Sequence, residues 1–524
     1  MSVGGSCAGS SSNGAVFWQL KDLKPQQEYL IAVMADRIPQ SNTDIRMNFQ
    51  MRNKFPSEPV DSYERDRIKS IQARQGSGGG DLSFDEPIHP PRSNFQIFPE
   101  NIGTDTDIYI PFPGDYHLRL DNKVLPLYVS SPTGTRRSGQ TLQFSTYSPG
   151  SNLFSLLYPP ALSESSSNGM NFQTFLQKLN SCTQQKLPQI LNTLGSPFDL
   201  DGKPQLNIVV TNFQGSIGAR TLGMFSAIDR FEKDGDEPLI DSNYGEYVYL
   251  APSSNPSTSC ATMIHETQHQ ISYDRKVLAE IPASKRNDMR QKSKYDLLPE
   301  ELGLDEGYSH IFEELSGESQ RVSEHIYNFF IRSNLSSFSL ETSFSDYIGN
   351  SRSRGLNTLF LYYVIKRAGG RLDYSDSVTI QTLTQLITNP KIGFPNIADH
   401  FGVTEQELME GFFRGLLYSL FDSSAAANFL PALETSTNID GQQVSRGFKI
   451  LDRNSSTEDL PYAPPSVHPF QFTLNPLGPS DNFSVPAQGL VFYRYIVPST
   501  ISSDAEVEFN MGGREISAYV VRVR

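Results

Sequence analysis

The stretch His265-Glu266-Thr267-Gln268-His269 constrains this chain more than any other. It reads H-E-x-x-H. On a helix, residues four apart share a face, so the two imidazoles converge. Two converging imidazoles are half of a tetrahedral zinc site, and the intervening Glu266 reaches a metal-activated water without itself binding the metal. Such a pattern demands a helix held rigidly inside a fold, and a second element that delivers the missing ligand. Histidine is scarce, 8 of 524 residues, and chance would produce the motif in a chain of this length on the order of 1% of the time. The alternative is a helix with two solvent-facing histidines. Met263, Ile264 and Ile271 beside the motif point instead to a mostly buried helix, where histidines need partners.

A catalytic zinc takes three protein ligands and keeps one position for water. The next acidic helix is predicted over Leu302–Leu315, with Leu304, Tyr308, Ile311, Phe312 and Leu315 as its apolar side. Glu306, near its start, is a candidate third ligand, and Glu313 and Glu314 are its rivals. A carboxylate near a helix N-terminus is also favoured by the helix dipole alone. Zinc-bound histidines commonly donate their second N–H to a carboxylate. Glu313, about two turns beyond Glu306, is a candidate for that task, unless it lies on a solvated face.

At these residues the chain resembles the gluzincin metallopeptidases, which pair an HExxH helix with a Glu from a following helix, often within an Asn-Glu-Gly triplet. Here the triplet is Asp305-Glu306-Gly307, with Asp in place of the usual Asn. The pattern His265, Glu266, Gln268, His269, Ile271 and Tyr273 is similar to that of the hyicolysin-like secreted bacterial neutral metallopeptidases. Asp199-Leu-Asp201-Gly202, Gly223-Met-Phe225 and Ser242-Asn243…Tyr249 resemble further segments of that family. The likeness covers roughly residues 150–430. It implies a thermolysin-like α+β peptidase domain with a mixed sheet and a helical lower subdomain. It also implies a zinc endopeptidase in which His265, His269 and Glu306 are the ligands and Glu266 is the general base. Gluzincins stabilise the oxyanion with a Tyr or His. Tyr308, His310 and Tyr347 are candidates, and Tyr347 stands at a place similar to the catalytic Tyr of related aminopeptidases. A strand near the zinc pairs with extended substrate in such enzymes, and Glu246–Leu250 is the candidate here.

Alternating segments lie on both sides of that region. Ala15–Trp18, Glu28–Val33, Asp107–Ile110, His117–Leu120 and Leu125–Val129 read as strands, with Lys24–Gln27 as a turn. Residues 1–148 are therefore expected to form an N-terminal β-sandwich and 149–434 the peptidase domain. The Ser-, Asn-, Pro- and Asp-rich stretch 435–467 is expected to be a linker. Residues 468–524, with strands at Phe470–Leu474, Leu490–Ile496, Ala505–Asn510 and Ile516–Val523, are expected to form a C-terminal β domain. Helices are expected over 171–194, where Pro188 should break or kink the run, over Leu356–Arg367 ending at Gly369-Gly370, and over Glu405–Phe421 capped by Thr404.

The net charge of −14 disfavours nucleic acid as a partner, since phosphate binding needs a basic patch. No run of eighteen apolar residues exists, so no transmembrane segment is expected. Three cysteines, Cys7, Cys182 and Cys260, make no disulfide framework. Cys182 and Cys260 either pair or remain free buried thiols. The first residues lack a signal peptide's basic and apolar regions. Yet Gly5-Ser-Cys7-Ala-Gly resembles the lipid-attachment end of a bacterial lipoprotein signal, so Cys7 is a candidate anchor unless it lies in a disordered tail. A secreted or cell-surface bacterial location, with protein or peptide substrate, is the expectation. The acidic cluster Asp199, Asp201, Asp229, Glu232, Asp234, Asp236 and Glu237 is a candidate for Ca2+, though its spacing is not that of an EF-hand and Asp-Gly pairs are commonly plain turns. Two other functional classes stay open: a non-catalytic surface-binding protein built on a degenerate peptidase domain, and an aminopeptidase. The latter lacks a recognisable acidic anchor for a substrate amine.

Overall fold

The structure is a computed structural model. It describes residues 6–11, 15–20, 23–35, 45–52, 106–110, 140–147, 153–158, 166–167, 170–211, 222–230, 243–253, 255–281, 300, 302–331, 338–339, 351–421, 423–450, 466–467, 475–476, 480–485, 489–497, 505–510 and 516–522. The terminal strands are β1 (Ser6–Ser11), β2 (Ala15–Leu20), β3 (Glu28–Ala35) and β4 (Ile45–Arg52). The central sheet uses β5 (Thr106–Ile110), β6 (Gln140–Tyr147), β7 (Phe154–Tyr158), β8 (Leu206–Val210), β9 (Gly223–Phe225) and β10 (Tyr247–Leu250). A hairpin of β11 (Glu434–Thr437) and β12 (Gln443–Arg446) follows the helices. The chain closes with β13 (Ser480–Val485), β14 (Gly489–Ile496), β15 (Ala505–Asn510) and β16 (Ile516–Arg522).

The central sheet runs β9-β10-β8-β7-β6-β5. Strands β7, β8 and β10 are parallel, while β9 and the β6–β5 side are antiparallel. Parallel neighbours need a long crossover, and between β7 and β8 this includes helix α1 (Phe172–Leu194). Helix α1 buries Phe172, Phe175, Leu176, Leu179, Leu187, Ile190 and Leu194, the helical periodicity of its sequence. It runs through Pro188 without a break. The remaining helices are α2 (Pro256–Lys276), α3 (Leu302–Leu315), α4 (Gln320–Ile331), α5 (Ser351–Arg367), α6 (Ser377–Thr388), α7 (Gly393–Phe401), α8 (Glu405–Phe421) and α9 (Ser423–Phe429). Helix α2 packs between the sheet, α1 and α3, and α3 in turn packs on α5. Helix α8 begins with a reciprocal cap: Glu407 N donates to Thr404 Oγ1 at 3.1 Å and Thr404 N to the Glu407 carboxylate at 2.8 Å. A disulfide joins Cys182 on α1 to Cys260 on α2, with Cα atoms 6.1 Å apart. Among the described residues, no helix is long and apolar enough to cross a membrane.

Three domain expectations change. The strands of the two chain ends are not separate modules. One sheet runs β1-β16-β3-β14 and the other β13-β4-β15-β2, so each mixes both ends. Period-two alternation marks a strand and its faces but carries no record of its partner, which is why 1–148 and 468–524 read as two domains. Nor does 1–148 stay apart from residues 149–434, because β5 and β6 extend the central sheet through β7. The first part of the supposed linker, up to Ile450, is docked. Asp440 pairs with Lys178 at 2.6 Å and accepts from Ser257 Oγ at 2.9 Å, while Gly447 N donates to Glu314 at 3.0 Å. Asp440 and Gly447 thus tie to the helices a segment whose other residues are mostly exposed or half-buried. The expected strands at His117–Leu120, Leu125–Val129 and Phe470–Leu474 lie outside the described residues.

Candidate metal centre

Helix α2 is fixed at both ends. Asn255 caps it, its side chain accepting from Ser257 N, Pro256 occupies the first turn, and Arg275 and Lys276 stand in the last turn. Between them almost every residue is buried, including His265, Glu266, Thr267 and Gln268. The Gln268 amide explains one part of the motif. It donates to Ser272 Oγ at 2.6 Å and accepts from Ser309 Oγ on α3, so it locks the rotation of the two helices that carry the site.

The two imidazoles stand edge to face, with centroids 4.7 Å apart. His265 Nε2 lies 3.0 Å from Glu306 Oε2, and His269 Nε2 lies 3.7 Å from Glu306 Oε1. The outward nitrogens are each backed by a carboxylate: His265 Nδ1 is 2.7 Å from Glu313 Oε1 and His269 Nδ1 is 2.9 Å from Asp305 Oδ2. With the ring proton on each Nδ1, both Nε2 lone pairs point to the Glu306 carboxylate. Glu313 thus stands where the sequence suggested a histidine partner, and it is fully buried rather than on a solvated face. Asp305, the departure from the usual triplet, plays the same part for the second histidine. Gly307 completes the triplet for a packing reason, since a Cβ there would lie 2.9 Å from Leu361 Cδ1 on α5.

The residues fit a divalent cation. Tetrahedral bonds of about 2.0–2.2 Å put ligand atoms roughly 3.3–3.6 Å apart, the range that the two Nε2–Glu306 separations bracket. Glu306 Oε2 is buried and, among the described residues, has ion-pair neighbours in His265 and Arg354 but no hydrogen bond of good geometry, which leaves a lone pair that a cation could take. The charges agree. Burial alone would lower both histidines, but Glu306 and Glu313 hold His265 raised, and Asp305 and Glu306 carry His269 up to about 10. Negative charge in the centre therefore exceeds what its own side chains neutralise.

Burial pushes the Glu266 carboxyl up, against the opposing pull of His265 and His269, as suits a group that must take a proton. Two arginines that the sequence did not single out also belong to the centre. Arg354, at the start of α5, places Nη1 3.3 Å from Glu306 Oε2. Arg321, on α4, reaches Glu313 at 2.5 Å. Burial works against ionisation of both glutamates, yet Arg354 and His265 hold Glu306, and Arg321 and His310 hold Glu313, well below the usual range. A lone Arg in a polar helix start carries no periodic or spacing signal, so only the packing of α5 on α3 reveals Arg354.

Compared with known proteins, the chain matches no family model and no curated protein.

The candidate oxyanion donors separate. Tyr308 is buried in the main core. His310 is fully buried, one turn after Glu306, and ligand atoms of His265, Glu306 and His310 lie within 4.8 Å of one another. Burial lowers His310 to about 4, so it is neutral near pH 7. Tyr347 lies outside the described residues. The strand expected to pair with substrate, Glu246–Leu250, does not lie at an edge. Tyr247–Leu250 is β10, which is paired on both sides, to β8 and to β9. The edge is β9, and among the described residues no second strand pairs with it. A Cβ at Gly223 on β9 would lie 3.1 Å from Glu266 Cγ, so this edge runs directly beside the candidate base.

Proposed function

We propose that this chain is a zinc-dependent endopeptidase of the gluzincin type, exported by a bacterium and acting on extracellular protein or peptide. The observation that carries the proposal is the convergence of His265 Nε2 and His269 Nε2 on the two oxygens of Glu306, with each Nδ1 backed by its own carboxylate. The Cys182–Cys260 disulfide supports export, since such bonds persist in oxidising compartments.

Zn2+ held by His265, His269 and Glu306 would acidify a water and polarise the scissile carbonyl. Glu266 takes the proton as the water oxygen adds to the carbonyl carbon, then passes it to the amine as the C–N bond breaks. An extended substrate pairs its backbone with the open edge of β9, so main-chain hydrogen bonds place the scissile bond beside Glu266. Tyr347 serves the developing oxyanion, since the one N–H of neutral His310 is committed through Nδ1 to Glu313 at 3.1 Å. Arg354 holds Glu306 ionised as a ligand.

The test is cleavage of an N-terminally blocked, internally quenched peptide by zinc-loaded protein, with Glu266→Gln beside it. The blocked terminus distinguishes an endopeptidase from an aminopeptidase. Loss of a general base costs about 10²–10⁴-fold in rate, so the variant should retain zinc and lose kcat on that scale. A variant that turns over like the wild type sinks the mechanism.

A further inference from the structure

We propose a second cation site, built by Asp199, Asp201 and Glu246 and suited to Ca2+, on the sheet side of α2 and apart from the His265–His269–Glu306 centre. One ligand oxygen from each of the three carboxylates lies within 4.8 Å of the others. Their exposure is graded: Glu246 is buried, Asp201 half-buried and Asp199 exposed.

The second observation is an orphaned oxygen. Glu246 is only 2% exposed. Its Oε1 accepts from Arg230 Nη1 at 2.8 Å and from Leu200 N at 3.2 Å, but its Oε2 has no hydrogen-bond partner among the described residues. Arg230 has no donor left to offer. Its N–H groups are engaged by Asp274 twice, Phe198 O, Gly245 O and Glu246 Oε1. A buried anionic oxygen without a donor is costly unless a cation meets it. Burial pushes the Glu246 carboxyl up against the pull of Arg230, and the charge of Asp201 adds to that push. A simple Asp-Gly turn explains part of the geometry, because Asp201 Oδ1 accepts from Lys203 N at 2.9 Å. It leaves Glu246 Oε2 unexplained. The ammonium of Lys203 stands 3.9 Å from Asp201 on a side chain that is 80% exposed, so it does not reach inside. Gly245 keeps the approach open, since a Cβ there would lie 3.4 Å from Asp201 Oδ2.

The donor set selects the ion. All three ligands are carboxylate oxygens, with no imidazole or thiolate, which favours a hard cation. They come from two segments, the Asp199–Asp201 loop and the residue ahead of β10, and exposed Asp199 leaves one side to water, which suits the larger, flexible coordination of Ca2+ better than the strict octahedron of Mg2+. Of the acidic stretch singled out in the sequence, Asp229 is used otherwise, accepting from Tyr249 OH at 2.5 Å and from Asn243 N at 2.8 Å. Residues 232–237 lie outside the described residues.

The experiment is Tb3+ luminescence on zinc-loaded full-length protein, excited through tyrosine, since Tyr244 and Tyr247 flank Glu246. The expected result is about one Tb3+ per chain, displaced by Ca2+ and at least about tenfold less effectively by Mg2+. Asp199→Asn and Asp201→Asn should each weaken Tb3+ at least about tenfold with zinc content unchanged. Added CaCl2 should raise the Tm of the wild type but not of Asp201→Asn. Neither Asp pairs with Arg230, so both variants spare the buried ion cluster that Glu246→Gln would break. Absence of Ca2+-displaceable Tb3+, or wild-type affinity in both variants, overturns the site. Equal displacement by Mg2+ overturns its assignment to calcium.

Discussion

Replacing Asp305 by Asn tests whether the carboxylate behind His269 belongs to a metal centre. The exchange keeps an oxygen that can accept from Nδ1, now at 2.9 Å, and removes one negative charge. Two effects oppose each other. The lost charge no longer attracts a dication on Nε2, but it also no longer favours the competing proton, which Asp305 and Glu306 now hold against burial up to about 10 on His269. At about 6 Å across the ring and an effective dielectric near 20, a unit pair is worth about 2.8 kcal/mol. The dication loses about twice that, and about 2.8 kcal/mol is regained from the proton. The net loss is on the order of 100-fold at most, within the 10–100-fold typical of such outer partners. Competition of Asp305→Asn and wild type against a chromophoric zinc chelator at pH 7 and fixed ionic strength measures it, with His269→Ala as the floor. Asp305→Ala, which also loses the acceptor, should fall further. Zinc affinity unchanged or raised in Asp305→Asn refutes the argument that Asp305 acts through the histidine on a metal.

Other predictions address the frame of the site. Glu314 is buried, accepts from Tyr362 OH at 2.8 Å and Gly447 N at 3.0 Å, and is raised from 4.5 to about 8 by burial. The folded state therefore holds a proton that the unfolded state releases, so stability from this group is full below about 4.5 and is lost as pH rises through about 8. Glu314→Gln should flatten that fall, gaining at most about 5 kcal/mol over wild type by pH 8; equal urea midpoints for the two zinc-saturated proteins across the window would contradict it. Separating Cys182 from Cys260, 78 residues apart, should cost up to about 4.5 kcal/mol from loop closure, read as a lower denaturation midpoint of the Cys182→Ala/Cys260→Ala protein. Gly223→Val should push β9 off α2, because even a Cβ there would meet Thr262 Cγ2 at 2.2 Å. A displaced substrate edge should cut kcat/KM about 10–100-fold with zinc content intact, and wild-type kinetics would return the substrate strand to another edge.

What the sequence made legible was local. Helix α2 follows from the motif and its apolar neighbours, α3 from its own periodicity, and the start of α8 from Thr404 and Glu407 three residues apart. Strands β2, β3, β14, β15 and β16 were visible as alternation, but their pairing across the whole chain length was not, because a strand's sequence specifies faces rather than neighbours. For the same reason Glu246–Leu250 reads as a substrate strand although it lies inside the sheet, and the edge is Gly223–Phe225, three residues too short to show alternation. At the candidate site the residues that bring charge from other helices, Arg321 and Arg354, had no sequence signature. Asp305 stands out in the sequence as a departure from the usual triplet, but its pairing with His269 depends on how α3 packs against α2.

Charge balance ties these features together. Around the candidate metal centre, Glu266, Asp305, Glu306 and Glu313 face two guanidiniums, Arg321 and Arg354. If the histidines are neutral ligands, the surplus is two negative charges, the amount a single divalent cation cancels. If no cation binds, compensation falls to protons on the imidazoles, which the surrounding carboxylates favour on both. The same reasoning applies beyond the other end of α2. There Arg230 is shared between Asp274 on α2 and Glu246 ahead of β10, while Asp201 and Asp199 add charge that no buried cation among the described residues answers. Buried ion pairs contribute little net stability by themselves, but a half-compensated one is strongly unfavourable. A cation at Glu246 would complete the Arg230–Asp274 clamp, which sets how α2 lies against the sheet, and with it the distance from Glu266 to the edge at β9.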